Sequence, residues 1–184
     1  MKRFLDIVLS LLALVALSPV LLMAALAIAL ESGAPVILRQ TRMGLEGREF
    51  GMFKFRSMVK NAAQMGPYFT TSNDPRITRV GRFLRRTSID ELPQLINVLK
   101  GDMSLVGPRP DVPAQRDLYG AADWAQRLSV RPGVAGLAQA LLRSDASFTQ
   151  RLELDLRYTR DASLRLDLCI IVWTFRQLGG KQSN

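Results

Sequence analysis

The sequence predicts a mainly α-helical protein with a small β-hairpin. A broken apolar helix pair occupies residues 1–33 and a compact α/β domain occupies residues 34–184. Three observations carry this. Residues 4–30 form an apolar run with one charge, Asp6, and a Ser18-Pro19 break near its middle. Residues 35–55 alternate around the turn Gly44-Leu45-Glu46-Gly47, as a hairpin does. Beyond residue 74 helical apolar spacing recurs, punctuated by glycine and proline. At 184 residues the chain can build one domain with a real core.

As one straight helix, residues 4–30 would run about 40 Å, against a hydrocarbon core of about 30 Å, so membrane contact is expected. Pro19 removes a backbone donor and bends or breaks the helix. A kinked span and a re-entrant helix-break-helix, which enters and leaves by one face, both fit. Lys2 and Arg3 precede the run, and Arg39, Arg42 and Arg48 follow it. Positive flanks at both ends favour re-entry, because such charge keeps to one side of the membrane. A cleaved signal peptide fits poorly, since the run is long for one and lacks a persuasive cleavage site.

Residues 35–40 then read as a strand that pairs with residues 49–55, and Lys54 and Arg56 share one face of that edge. Residues 57–64 predict a short helix and residues 66–73 a loop. Asp74-Pro75 reads as a helix start with Asp74 as N-cap. The helix that follows carries an Ile77, Val80 and Leu84 stripe among arginines. That pattern suits a solvated face and an interfacial amphipathic helix on lipid headgroups equally. Residues 91–100 predict a helix closed by Gly101, residues 101–113 a loop, and residues 115–128 a helix. Arg131-Pro132-Gly133 is a turn, residues 148–160 a charged helix, and Ser163 caps a last helix through residue 178. The apolar run at residues 168–173 is too short to span a membrane and suits a core or an interface.

Net charge is +9 and the isoelectric point about 10.6, which point to an anionic partner. Aromatics are only 7%, with no basic-aromatic interleaving, so phospholipid and phosphorylated ligands are favoured over nucleic acid. There is no histidine and one cysteine, Cys169. Ser-His-Asp and Cys-His mechanisms, most zinc sites and any intrachain disulfide are thereby excluded. A metal would be a hard cation on oxygen, Mg²⁺. Chemistry falls to carboxylates, Lys, Arg, Tyr and hydroxyls.

Asp90-Glu91 then stand out. They follow Arg76, Arg79, Arg82, Arg85 and Arg86 and precede Gly107-Pro108-Arg109-Pro110. Ser88-Ile89-Asp90-Glu91 also has the form of a capping box, which usually means only a helix start. Pro93 moves the expected start to Asp90, because a proline in the first helical turn forfeits no bond. In either register both acids lie at a helix N-terminus, where the dipole favours negative charge. A carboxylate attacking phosphorus needs cations beside it, here Arg85, Arg109 and Mg²⁺. Pro108 and Pro110 stiffen a loop that could hold Arg109 for bidentate phosphate contact, although alone such a loop is most simply a turn.

The stretch from Ser88-Ile89-Asp90-Glu91-Leu92-Pro93 to Gly107-Pro108-Arg109-Pro110 closely resembles the central motif of the bacterial sugar transferases, the monotopic phosphoglycosyl transferases. Ser18-Pro19, Gln40-Thr41-Arg42-Met43-Gly44, Lys54-Phe55-Arg56-Ser57-Met58, Arg131-Pro132-Gly133 and Glu153-Leu154-Asp155 match further pieces. The likeness covers essentially the whole chain, which looks like the minimal form. It implies transfer of a sugar-1-phosphate from a UDP-sugar to polyprenol (undecaprenyl) phosphate, the first membrane step of a bacterial glycoconjugate. It implies that Asp90 is the nucleophile of a covalent phosphosugar intermediate and that UMP leaves. Mg²⁺ would be held by Asp90 and Glu91, with Glu91 supporting the metal or taking the lipid phosphate's proton. Lys54, Arg85 and Arg109 match phosphate- or nucleotide-contacting positions, with Pro108 and Pro110 framing the last. The resemblance also implies a re-entrant membrane helix broken at Ser18-Pro19 and a catalytic domain on the cytoplasmic face of the inner membrane. A homodimer is compatible with it.

One departure stands out. Where the family often has G-W-A-Q-V-N-G-R, this chain has Gly136-Leu137-Ala138-Gln139-Ala140-Leu141-Leu142-Arg143. A more helical segment, or a different sugar preference, would follow, and Arg143 is the weakest of the substrate-binding candidates. The competing expectation is a non-catalytic module that binds anionic lipid or scaffolds a glycan-assembly complex. The sugar is left open among galactose, glucose and N-acetylated amino or diamino sugars.

Overall fold

The computed structural model describes residues 1–65, 74–142 and 146–180; the expected loop at 66–73 and Arg143 lie outside them. Among the described residues the protein is mainly helical, with two small two-stranded sheets. Helices α1 (Lys2–Ala16) and α2 (Ser18–Ser32) meet at Leu17 with a bend of 61°. Pro19 occupies the first turn of α2, where its missing N–H has no intrahelical partner to lose. Ser18 Oγ donates to Val15 O (2.7 Å), taking up one carbonyl that the break leaves over. No single described helix is long and apolar enough to cross a membrane, but the bent pair passes that test together.

Both ends of the pair dock on the rest of the molecule. Arg3 caps the last carbonyls of α4 (Gln94–Lys100), with Nη1 2.7 Å from Val98 O and Nη2 3.1 Å from Leu99 O. Asp6, the lone charge of the apolar run, is buried and accepts from Ser104 Oγ (2.9 Å) and Leu105 N (3.1 Å). Lys2 Nζ lies 2.6 Å from Asp167 Oδ2. At the far end Glu31 accepts from the Arg79 and Val80 amides, and Arg56 donates to Ser32 Oγ (2.8 Å) and to Gly33 O. Between these anchors Phe4, Leu12, Val15, Leu22, Leu26 and Leu30 stand exposed.

The hairpin forms as alternation predicts. Strand β1 (Ile37–Met43) pairs antiparallel with β2 (Glu49–Phe55), from Ile37 opposite Phe55 to Met43 opposite Glu49. The expected helix at residues 57–64 is reduced to a 3₁₀ turn at Ala62–Gln64. Helix α3 (Arg79–Thr87) begins later than Asp74-Pro75 suggests. Thr78 is its N-cap, accepting from Gly81 N (2.9 Å), while Asp74 turns back onto Arg76 in a buried ion pair (2.6 Å). Leu84 and Val80 pack with Phe55, Ala24 and Ile28, so α2 forms part of the hydrophobic core.

The expected loop at 101–113 contains a strand. β3 (Ser104–Val106) pairs in parallel with β4 (Gly133–Ala135). The two backbones approach so closely at Gly107 and Gly133 that a Cβ on Gly133 would sit 2.0 Å from Gly107 N. The single helix expected at 115–128 is split into a 3₁₀ turn at Pro113–Leu118 and α5 (Ala121–Arg127). Gly120 N-caps the latter. The altered segment forms a five-residue helix, α6 (Leu137–Leu141). Helix α7 (Phe148–Asp161) starts at a Ser147–Gln150 capping box, and α8 (Leu164–Gly180) follows. Val106, Leu137, Ala140, Tyr158 and Ile170 form the core they share. Leu168, Val172 and Phe175 of α8 remain exposed, so the 168–173 run serves both core and surface.

Candidate active site

The acid pair does not open a regular helix. Ile89–Glu91 is a 3₁₀ turn, entered through Ser88 in the left-handed region at φ 57°, and α4 begins only at Gln94 with Pro93 as its N-cap. Neither the Ser88–Glu91 capping box nor an Asp90 cap forms, because both carboxylates have other partners. Pro93, which supplies no N–H, separates the two helical segments. Ser88's positive φ swings the chain from the end of α3 so that Asp90 turns inward, 4% exposed, while Glu91 lines an open cleft of about 2200 Å³.

Lys54, on β2, reaches Asp90 with Nζ 3.5 Å from Oδ2. Burial pushes the Asp90 carboxyl above its ordinary range, with Lys54 acting against the rise and Glu91 adding to it. Burial likewise pulls Lys54 down against the opposing pull of Asp90 and Glu91. Glu91 goes the other way. Burial works to raise it, but the Arg109 charge and hydrogen bond outweigh that and hold it below its ordinary value. Arg109 Nη2 lies 2.6 Å from Glu91 Oε1. Arg85, in the last turn of α3, donates from Nε to Ser57 Oγ (2.8 Å), and its charge acts on both Asp90 and Lys54. Pro108 and Pro110 are buried while Arg109 projects outward, so the prolines set the backbone and the arginine faces the cleft.

Lys54, Arg85, Glu91 and Arg109, from four elements of the chain, therefore line the cleft, and Asp90 lies buried behind Lys54. The cleft also reaches the apolar helix break, with Leu9, Leu17 and Val20 on its wall. Among the described residues no group of three or more His, Cys, Asp or Glu comes together to cage a metal. Two carboxylates are still the donor set Mg²⁺ ordinarily takes from a protein when phosphate oxygens and water complete its octahedron, so Asp90 and Glu91 fit that cation.

Sequence reasoning missed Arg127, Asp111 and Tyr119 beneath the Arg109 loop, and took Asp155 only as part of a family motif. Arg127 donates to Asp111 and to Asp155, and all three are buried. A signal was present: Trp124, Arg127 and Leu128 share the i, i+3, i+4 face that a helix turns inward, and a guanidinium there needs buried carboxylates.

One buried and one half-buried acid among cations, beside an apolar helix pair that docks at both ends, are the features that define the class of this protein. The chain belongs to the bacterial sugar transferase family, whose model matches residues 1–181. It is 47% identical over 186 residues to a UDP-glucose:undecaprenyl-phosphate glucose-1-phosphate transferase of Caulobacter vibrioides, covering 96% of this chain and 69% of that one. It is 45% identical over 181 residues to the protein of that name in Escherichia coli K12, covering 95% of this chain and 39% of that one. A UDP-N-acetylgalactosamine-undecaprenyl-phosphate N-acetylgalactosaminephosphotransferase of Aeromonas hydrophila is 43% identical over 185 residues, covering 96% of this chain and 43% of that one. The chain thus spans less than half the length of two of these three relatives.

Proposed function

We propose that this chain transfers a sugar-1-phosphate from a UDP-sugar to polyprenol phosphate through a covalent intermediate on Asp90. The observation that carries the reading is the Asp90–Glu91 pair beside Lys54, Arg85 and Arg109: Asp90 lies buried behind Lys54, and the other four line a cleft that also reaches the apolar helix break. A charged diphosphate and an apolar tail need these two surfaces within reach of each other.

In this reading an Asp90 carboxylate oxygen attacks the β-phosphorus. A P–O bond forms, the α–β bridging P–O bond breaks, and UMP leaves with the electron pair. Lys54 and Arg85 offset the charge that would otherwise repel a carboxylate from phosphate oxygens. Polyprenol phosphate then attacks the same phosphorus, forming the diphosphate and returning Asp90 to its carboxylate. Glu91, kept ionised by Arg109, can take the proton of the incoming lipid phosphate. Asp90 and Glu91 would hold Mg²⁺, which supplies charge neutralisation on the diphosphate when bound.

The topology proposed is re-entrant, with the catalytic domain on the cytoplasmic face of the inner membrane. It is supported by the bend at Leu17 and by anchors from both ends of the α1–α2 pair to one domain. The exposed Arg79, Arg82, Phe83 and Arg86 face of α3 and the exposed apolar stripe of α8 suit the headgroup layer beside it.

The test uses membranes carrying the full chain, Mg²⁺, undecaprenyl phosphate and a panel of UDP-sugars that includes UDP-glucose and UDP-N-acetylgalactosamine. UMP is expected with at least one donor, and Asp90→Asn should lower its release by roughly a thousandfold or more. Without the lipid acceptor, a donor labelled in its β-phosphate should label the protein, and Asp90→Asn should stay unlabelled. No UMP from any donor, or an Asp90→Asn variant with full activity, would sink the proposal. A non-catalytic lipid-binding module would give no label.

A further inference from the structure

Arg127 closes α5 and has no part in the chemistry just described. It is 5% exposed, and its guanidinium has three partners in fixed directions. Nη1 donates to Asp111 Oδ2. Nε lies 3.0 Å and Nη2 2.9 Å from Asp155 Oδ2, and Nη2 also donates to the backbone carbonyl of Arg109. Tyr119 donates its hydroxyl to Asp111 (2.9 Å) and sets its ring 5.5 Å from the guanidinium. Only a planar fork of donors serves all these directions at once; an ammonium cannot.

The loop that Arg127 grips is held at every step. Pro108 O accepts from Gly133 N (2.9 Å), Arg109 O from Arg127, Pro110 O from Arg42 Nη1 (3.3 Å), and Asp111 O from Met43 N (2.8 Å). Of these carbonyls, Arg109's own is the one bound by a group that also ties in α7, through Asp155. Burial pushes the Asp111 carboxyl up, and the charges of Arg127, Arg42 and Arg109 act against that rise. The hydrogen bonds of the cluster fix the backbone under Arg109.

We propose that Arg127 is a positioning residue: by joining α5, α7 and the 107–111 loop, it sets the backbone from which Arg109 reaches Glu91 and the donor's phosphates. This rests on the transferase reading. A purely structural ion cluster would lower activity by loosening the domain, whatever stands at position 109. A positioning residue acts through Arg109, and its removal costs little once Arg109 is gone.

The experiment is a double-mutant cycle on the full chain in detergent, using UMP release with a donor the wild type accepts and thermal melting in parallel. Arg127→Lys should lower kcat/KM about tenfold or more, mostly in kcat, as expected when transition-state contacts are misplaced. In an Arg109→Ala background the same change should cost less than about twofold. Equal fold losses in both backgrounds, or wild-type kcat in Arg127→Lys, would overturn the proposal. Should Arg127→Lys lack a cooperative melting transition, Tyr119→Phe takes its place. It keeps the ring, removes one bond to Asp111, and should show the same dependence on Arg109 with a loss of about threefold; multiplicative losses overturn the proposal there too. A wild type that releases no UMP overturns the transferase reading and the positioning role with it. An active wild type with multiplicative losses overturns the positioning role alone.

Discussion

At Asp90 the balance lies between burial, which favours the neutral acid, and Lys54, which favours the carboxylate. In the proposed reaction Asp90 attacks as a carboxylate, and burial raises its pKa. The acid limb of kcat/KM should therefore fall at a pH above the ordinary aspartate value of about 4. Lys54→Met removes the opposing charge, so the limb should move further toward alkaline pH; Glu91→Gln removes a like charge, so it should move toward acid. A pH–rate profile that stays put in both variants would contradict this electrostatic account. Asp74 gives a stability counterpart. The Arg76 hydrogen bonds hold its carboxyl down to about 2, below its unfolded value. That stabilisation is complete above the unfolded pKa and is lost as pH falls through about 2. Thermal melts of Asp74→Asn should show a flatter fall in Tm than wild type between about pH 4 and 2. The residue types of the site were legible in sequence, since a chain with no histidine leaves phosphate chemistry to acids and cations. The pairing of Asp74 with Arg76 was not, because Asp-Pro reads equally well as a helix start and as the turn it forms here.

Among the elements, legibility followed the range of the interactions. The hairpin declares itself through local alternation and a glycine-framed turn, and the helix break through Pro19. β3 and β4 have three residues each and pair in parallel across a long separation, so neither leaves a periodic trace. The start of α4 was misplaced because Asp90 and Glu91 look like capping residues, while their carboxylates are engaged by Lys54 and Arg109. Element packing also reaches the site. Gly81 of α3 lies so near β2's exit that an added Cβ would stand 2.0 Å from Ser57 O. Gly81→Ala should force α3 outward, cost roughly 1–3 kcal/mol as overpacking does, and detach Arg85 from Ser57. Denaturant unfolding measures the first effect and UMP release the second; a variant unchanged in both would show that α3 gives way freely.

For the whole molecule, the α1–α2 pair both presents exposed apolar side chains and forms part of the core. With Cys169 replaced, a cysteine inserted ahead of Lys2 and Ala34→Cys should both react with a membrane-impermeant reagent from the cytoplasmic side. A periplasmic signal at the first would mean a spanning helix. The pair's polar anchors were invisible in sequence because their partners lie so far away: Asp6 bonds Ser104, and Lys2 bonds Asp167, 165 positions on. That last contact gives the fold an order in time. Synthesis reaches α8 long after it has produced α1, so the Lys2–Asp167 contact closes only once nearly the whole chain has been made. Trimming the apolar segment would not release a water-soluble catalyst. A fragment of residues 34–184 would lose Ala24 and Ile28 from its core and leave the Ser104 hydroxyl and the Leu105 amide without their acceptor. Expressed alone, it should melt without the sharp transition of the full chain.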